Sequence, residues 1–563
     1  MTTQTTVSSN RRDWLYLGIF IVVVLAITSI PYFYAYNSAP DDVHFMGVVF
    51  NIPDHFQYFS WMRESQTQIL VPNQFTPEDS TPLLFNFLWF TLGRIESLTG
   101  IEYRTLYQVT RLLAAAFVMI ATYWFASLVF TNRAKRWTAF LVGVLGAGLG
   151  WVWVVAKYVG KVEIVPPNSF DVYTSEPNTF FNILAFPHFS IAAGLIAVIF
   201  GLVLLGQKKQ SMRYAWAAAF VSLFLGVQHA YDMFIIYPVI GLYALLIWLR
   251  DRKFPMYLFK LGVVVVLISV WPALQAFYIT QADAVWKGVL SQFDNAGAWT
   301  PNPLHLPILM GIGWLLAIWA LKIRLPWRER DDTHLFLMAW FLAHFILVYV
   351  PVNFQIHLLS GWQIVIGVMA TIGLYTRVLP WLRRRLSGMP PQRVTLIASG
   401  VLLVAILPTN LYILAWRTID MKAAWAEIDE RVTDNRYFIR TSEYDALQFL
   451  ETQVSGADVV FASLNTGAFV PTLTGGRSFL GHWTQTLDFQ NKRQMVSNFF
   501  DTAATDAQRE ALLAEYSVDY LFYGPDEAAL GDYDPSGTPF LTEIYSNDDV
   551  TIYAVDTTQP VEN

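Results

Sequence analysis

The sequence predicts a mostly α, polytopic membrane helix bundle of about eleven spans, followed by a C-terminal extracytoplasmic α/β domain. Three observations predict it. The chain has 563 residues, 55% hydrophobic and only 14% charged, at a mean hydropathy of +0.39, where soluble domains carry about 25% charged residues. Its apolar runs approach the roughly 20 residues that cross about 30 Å of hydrocarbon. Charge is also segregated: residues 417–563 hold 24 acidic and 9 basic residues, net -15, whereas residues 1–416 are net +9. Apolar surface of this extent must face lipid, with a water-facing acidic domain after it.

Taken in order, residues 1–13 form a cytoplasmic N-terminal tail ending in Arg11 and Arg12, and residues 14–416 form the multi-span membrane domain. Spans are expected near 14–36, 108–130, 137–158, 187–206, 214–230, 233–249, 257–279, 304–322, 335–352, 357–379 and 394–416. The first is too long for a signal-peptide core and lacks a small-x-small cleavage site, so it reads as an uncleaved anchor. A long outer loop, 37–107, follows it; within it Asp54–Gln68 (DHFQYFSWMRESQTQ) reads as a short interfacial helix with its aromatics at headgroup level. The apolar stretch 82–93 is short and flanked by charge, and is expected to lie at the interface. Gly143–Gly150 (GVLGAGLG) reads as a small-residue run for close helix packing.

Lysine and arginine set the orientation. Alternate loops, from Arg11/Arg12 through the cluster containing Lys322, Arg324, Arg328 and Arg330 to that of Arg377–Arg393, hold 20 of the 28 basic residues of 1–416. This places the N-terminus in the cytoplasm and residues 417–563 outside the plasma membrane. In that domain Thr441–Val454 reads as a helix and Asp458–Ala462 as a strand. Thr505 and Gln508 read as a capping box opening a helix to Tyr516. Val518–Tyr523 is a second strand, adjacent and parallel to the first, and Leu541–Ser546 with Val550–Val555 a terminal hairpin.

Composition also excludes chemistry. A net charge of -6 argues against nucleic acid as a partner, and the absence of cysteine removes thiolate metal sites and cysteine nucleophiles. No phosphate-binding glycine loop, His-Glu-x-x-His or Gly-x-Ser-x-Gly occurs, so no nucleotide is expected. The titratable residues of the membrane domain gather on its outer side: His44, His55, His188, His229, His305 and His357, with carboxylates that include Glu163, Glu176 and Asp283. Asp54 opens the loop helix, where a carboxylate both favours the helix N-terminus and can act as a base. His229 and Asp232, in Gln228–Asp232 (QHAYD), read either as a self-paired turn or as part of a site. His188 sits at the same depth behind Pro187. Asp41 and Asp42 read as a solvated pair or as ligands of a divalent cation, Mg or Mn.

The long first outer loop with PDHFQYFSWMRES, the many spans and the outer C-terminal domain together resemble the GT-C superfamily, integral-membrane glycosyltransferases that take sugar from a polyprenyl-phosphate carrier. Phe186–Ser190 (FPHFS), Gln228–Asp232, Gln355–Gln363 (QIHLLSGWQ), Gly481–Trp483 and Val518–Glu527 (VDYLFYGPDE) resemble outer-face motifs of bacterial members. The resemblance implies transfer of sugar from a polyprenyl-phosphate donor in the bilayer to a glycan, lipid or protein acceptor. It carries the catalytic acidic role to Asp54, although His55 stands where a paired acid would stand. Donor phosphate or acceptor binding falls to Arg63, His188, His229 and Asp232, with Arg104, Arg111, Lys157 and Lys161 as further cations. His482, Trp483, Asn465 and Thr466 are expected in loops that help bind acceptor. Two other classes fit the composition: a non-catalytic scaffold or sensor with an outer binding domain, and a transporter, which would more commonly show internal repeats and mid-membrane polar groups.

Overall fold

The structure, a computed structural model, describes residues 11–162, 170–294, 299–322, 326–426 and 436–556. Residues 1–10 of the expected tail, Glu163 and Arg324 lie outside them. Helices stand at all eleven expected spans. Among the described residues eight are long and apolar enough to cross a membrane, and Met256–Ser269 with Trp271–Ala282, bent by 41°, make a ninth if taken as one span. Met212–Gln228, with 17 residues, and Asp332–Leu347, with 16, are shorter. At 1.5 Å per residue they reach only about 24–26 Å. The chain folds as a multi-pass helical membrane protein.

Contacts divide the chain into two compact units. The helical unit comprises Met1–Ser29, Val109–Gln275 and Asp294–Trp416; the α/β unit comprises Ile30–Gln108, Ala276–Phe293 and Arg417–Asn563. The long loop 37–107 thus shares its unit with the acidic C-terminal segment.

In the helical unit a large apolar core centres on Trp340, whose ring lies 5.2 Å from Phe125 and 4.6 Å from Phe200. The glycine run does more than pack closely: the helix Arg133–Leu145 stops there and resumes at Gly150. Backbone groups freed inside a membrane protein must find partners, and these do. Gln363 Nε2 donates to the Val142 carbonyl (2.9 Å), Asn410 Nδ2 to Leu145 (2.9 Å) and Thr409 Oγ1 to Gly148 (2.8 Å). The Leu149 N–H donates to the Ile308 carbonyl (2.7 Å), and Gly150 N–H to Asp171 Oδ2 (3.0 Å). A Cβ at Gly148 would lie 2.2 Å from the Leu309 carbonyl oxygen, so glycine is what lets the two segments meet.

The α/β unit has seven strands among its described residues: β1 (Val43–Phe45), β2 (Phe438–Arg440), β3 (Val459–Phe461), β4 (Arg477–Ser478), β5 (Val518–Tyr523), β6 (Leu541–Ser546) and β7 (Thr551–Val555). Five make one sheet in the order β4-β3-β5-β7-β6, with β3 parallel to β4 and β5 and the β6–β7 hairpin antiparallel on β5. The parallel pair β3–β5 and the hairpin are as the apolar runs predict, and the Thr505–Gln508 capping box opens the helix Asp506–Glu515. Pairing of β1 with β2, antiparallel with His44 opposite Ile439, was not foreseen: three residues in a long loop carry no period to read. The 82–93 stretch contributes the start of the helix Phe87–Thr99, capped by Asn86 Oδ1 on the Leu88 and Trp89 N–H groups and ended by left-handed Gly100.

Candidate functional site

Asp54 lies in the first turn of the helix Ile52–Glu64, which Pro53 starts after the left-handed Asn51. The helix is held by its buried face, Ile52, His55, Phe56, Phe59 and Met62, at helical spacing. Phe56 packs edge-on against Phe469 at 4.7 Å, and Thr472 Oγ1 donates to the Phe56 carbonyl at 2.9 Å. Phe56 and Phe59 are therefore core residues, with Met62 beside them, and not headgroup-level aromatics as the sequence suggested. An aromatic run at this spacing looks the same whether it meets lipid or protein. Tyr58, one turn after Asp54, stacks on Trp89 at 4.7 Å.

The Asp54 carboxylate is about 29% exposed. Its Oδ2 accepts from Asn51 Nδ2 at 2.6 Å, and its Oδ1 lies 3.2 Å from Nε2 of the buried His482. Burial pushes its pKa up, but the hydrogen bond from His482, the nearby His55 and the Asn51 amide outweigh this and hold the carboxyl below its usual value. His482 was expected in an acceptor-binding loop; that it meets Asp54 was not legible, because 428 residues separate them. Thr466 is buried and bonded through its N–H and Oγ1 to Ser463.

Arg63, one and a half turns past Tyr58, is committed to the protein. Its guanidinium pairs with Glu451 at 2.7 Å and donates to the carbonyls of Thr472, Leu473 and Thr474. Arg104 likewise pairs with Glu102 and donates to the Phe45 carbonyl. These arginines tie the first-loop helix and strand into the unit. Asp41 and Asp42 are exposed, and their carbonyls accept from Thr441. Among the described residues no three His, Cys, Asp or Glu side chains are grouped to hold a metal ion.

A second constellation belongs to the helical unit. Pro187 starts the helix Pro187–Lys209, placing His188 in its first turn, and Gln228 Nε2 donates to the His188 carbonyl at 3.1 Å. This brings the turn Ala230–Asp232 alongside. The buried His188 and His229 rings are 5.4 Å apart, and His229 Nδ1 lies 3.4 Å from Asp232 Oδ2. Tyr231 places its hydroxyl 3.3 Å from His229 Nδ1 and stacks its ring on His357 at 4.3 Å. His357 in turn pairs with Glu176 at 2.9 Å. The structure thus brings His188, His229 and Asp232 together and adds a second histidine–carboxylate pair, His357–Glu176, joined through Tyr231. Its only sequence signals were the QIHLL segment and an acidic residue in an outer loop. Two histidine–carboxylate pairs thus stand side by side in the helical unit.

The apolar helices, with a long first loop folded together with the C-terminal segment, make up a fold that this chain shares with solved structures. Solved structures of this fold resemble the chain over nearly its whole length. The oligosaccharyltransferase AglB from Archaeoglobus fulgidus, tethered with an acceptor peptide, superposes with a TM-score of 0.58 at 13% identity, covering 97% of this chain and 75% of that one. ArnT from Cupriavidus metallidurans, bound to undecaprenyl phosphate, gives 0.51 at 12% identity, covering 97% and 98%. The arabinofuranosyltransferase AftD from Mycobacteria gives 0.52 at 14% identity, covering 98% of this chain and 42% of that one. No protein-family model matches the sequence, and no curated protein does.

Proposed function

We propose that the protein transfers a sugar from a polyprenyl-phosphate donor to a glycan, lipid or protein acceptor at the outer face of the plasma membrane, with Asp54 as general base. The N-terminus lies in the cytoplasm in this reading, as the basic loops indicate, and no nucleotide takes part. The observation that carries it is the Asp54 carboxylate, partly open, kept ionised and gripped at both oxygens by His482 and Asn51. The fold shared with AglB and ArnT, whose structures hold an acceptor peptide and undecaprenyl phosphate, supports the substrate class.

The step balances simply. The acceptor hydroxyl gives its proton to Asp54, its oxygen attacks the anomeric carbon, and the bond from that carbon to the phosphate oxygen breaks, releasing polyprenyl phosphate. Loss of that phosphate is favoured by donors aimed at its developing charge. Positioned bases typically contribute about 10²–10⁴-fold. Asp54→Asn is therefore expected to lose transfer by about that factor while inserting and melting like the parent. The assay is release of polyprenyl phosphate by purified protein given sugar-labelled polyprenyl phosphates extracted from the producing cells. Full activity in Asp54→Asn would sink the assignment.

A further inference from the structure

We infer that His482 is the positioning residue of Asp54: it is locked as the neutral tautomer that carries its proton on Nε2, and it aims that N–H at the carboxylate. The inference rests on the reading of Asp54 as base and adds to it the group that orients the base.

The argument is one of donors and acceptors. The backbone N–H groups of Thr484 and Gln485 point at His482 Nδ1 from 3.0 and 3.2 Å. A backbone N–H can only donate, so Nδ1 presents a lone pair, and the single proton of a neutral imidazole sits on Nε2. That nitrogen faces Asp54 Oδ1 at 3.2 Å. A proton added at Nδ1 would oppose two buried N–H groups. His482 is thus built to donate to Asp54 without taking its proton, so the carboxylate stays ionised and oriented towards a substrate hydroxyl.

The loop does not need this contact for its own closure. Thr486 Oγ1 accepts the Gly481 and His482 N–H groups, both at 3.1 Å, and donates to the Phe75 carbonyl at 2.6 Å. A histidine retained only to fold the turn would use Nδ1 alone. Nε2 instead reaches across to the first-loop helix, where Asn51 holds the other oxygen at 2.6 Å. With one donor on each oxygen, rotation of the carboxylate is blocked and its remaining lone pairs are free for the acceptor. Among the described residues, the ionisable groups that act on Asp54 are His482 from the loop and His55 from its own helix.

Two substitutions of similar size separate the roles: His482→Met removes the donor, and His482→Gln keeps an amide N–H near the Nε2 position. The full-length protein in lipid nanodiscs is treated with a carbodiimide, which modifies protonated carboxyls, and labelling of Asp54 is followed by peptide mass spectrometry across pH. In His482→Met the labelling midpoint is expected to move upward, and in His482→Gln to return towards the parent. Transfer from the extracted sugar-labelled polyprenyl phosphates should fall by up to roughly a hundredfold in His482→Met, the scale of a catalytic arrangement misplaced by about 1 Å. The loss should lie in kcat more than KM, with the acid limb of the pH profile following the labelling midpoint, and Gln should recover part of it. A midpoint equal to the parent's in both variants overturns the inference, whatever the activity. Asp54→Asn inactive beside a fully active His482→Met also overturns it and leaves the base reading standing; Asp54→Asn fully active removes the base reading itself.

Discussion

Arg436 ties the segment that leads into β2 to the start of the helix Thr441–Glu451 and to Asp526, and its removal should be costly. Its guanidinium reaches Glu443 at 2.9 and 3.2 Å and Asp526 at 2.8 Å, with Arg436 only 4% and Glu443 2% exposed. In Arg436→Met the side-chain volume is largely kept, but Glu443 retains only Arg440, through its N–H at 3.1 Å and its guanidinium at 3.4 Å. Asp526 loses the cation that counters its burial. Breaking a buried pair from one side typically costs about 3–5 kcal/mol, because an uncompensated charge is left behind. β2 ends at Arg440 and the helix Thr441–Glu451 begins there, so this local segment should open more often. By the usual factor of ten per ~1.4 kcal/mol, exchange of its protected amides should speed up by roughly two to nearly four orders of magnitude. Hydrogen–deuterium exchange of the intact protein, read over residues 438–447, measures this directly. The double variant Arg436→Met/Glu443→Gln should recover part of the loss. Acceleration of less than tenfold would refute the claim that this ion pair holds the β2–helix segment in place.

Two further predictions concern single residues. Glu527 is fully buried, its oxygens accepting the N–H groups of Ser463 and Gly524, and burial together with the neighbouring Asp526 pushes its pKa from 4.5 up to about 7. Between these values the folded state binds more protons than the unfolded one, so stability falls as pH rises from 4.5 towards 7 and levels off above; Asp526→Asn should lower the upper end of that window, read by amide exchange corrected for intrinsic rate, and an unchanged window would refute the coupling. Gly148→Ala must push its Cβ against the Leu309 carbonyl and should lower the apparent melting temperature, with about 1–3 kcal/mol expected for overpacking, whereas Gly241→Ala, with nothing within 4 Å of its Cβ, should leave it level or raised.

Sequence by itself determined what short-range physics controls. Apolar length marked the spans; the Thr505–Gln508 capping box, the apolar strands β3 and β5 and the β6–β7 hairpin could all be read because each signal lies within a dozen residues. Asp54 was legible as a polar group opening a helix in a long loop, and His188, His229 and Asp232 as titratable residues at helix ends where the membrane makes them expensive. Tertiary structure alone decided the rest. It paired β1 with β2, broke the third span at Gly146–Leu149 and supplied Gln363, Thr409 and Asn410 to the freed backbone. It turned Arg63 from a free cation into a tie on Glu451, and set His482 on Asp54 and Glu176 on His357. Hydrogen bonds and ion pairs act over about 3 Å, and which groups come that close depends on where the packed core brings distant segments, for which local periodicity holds no record.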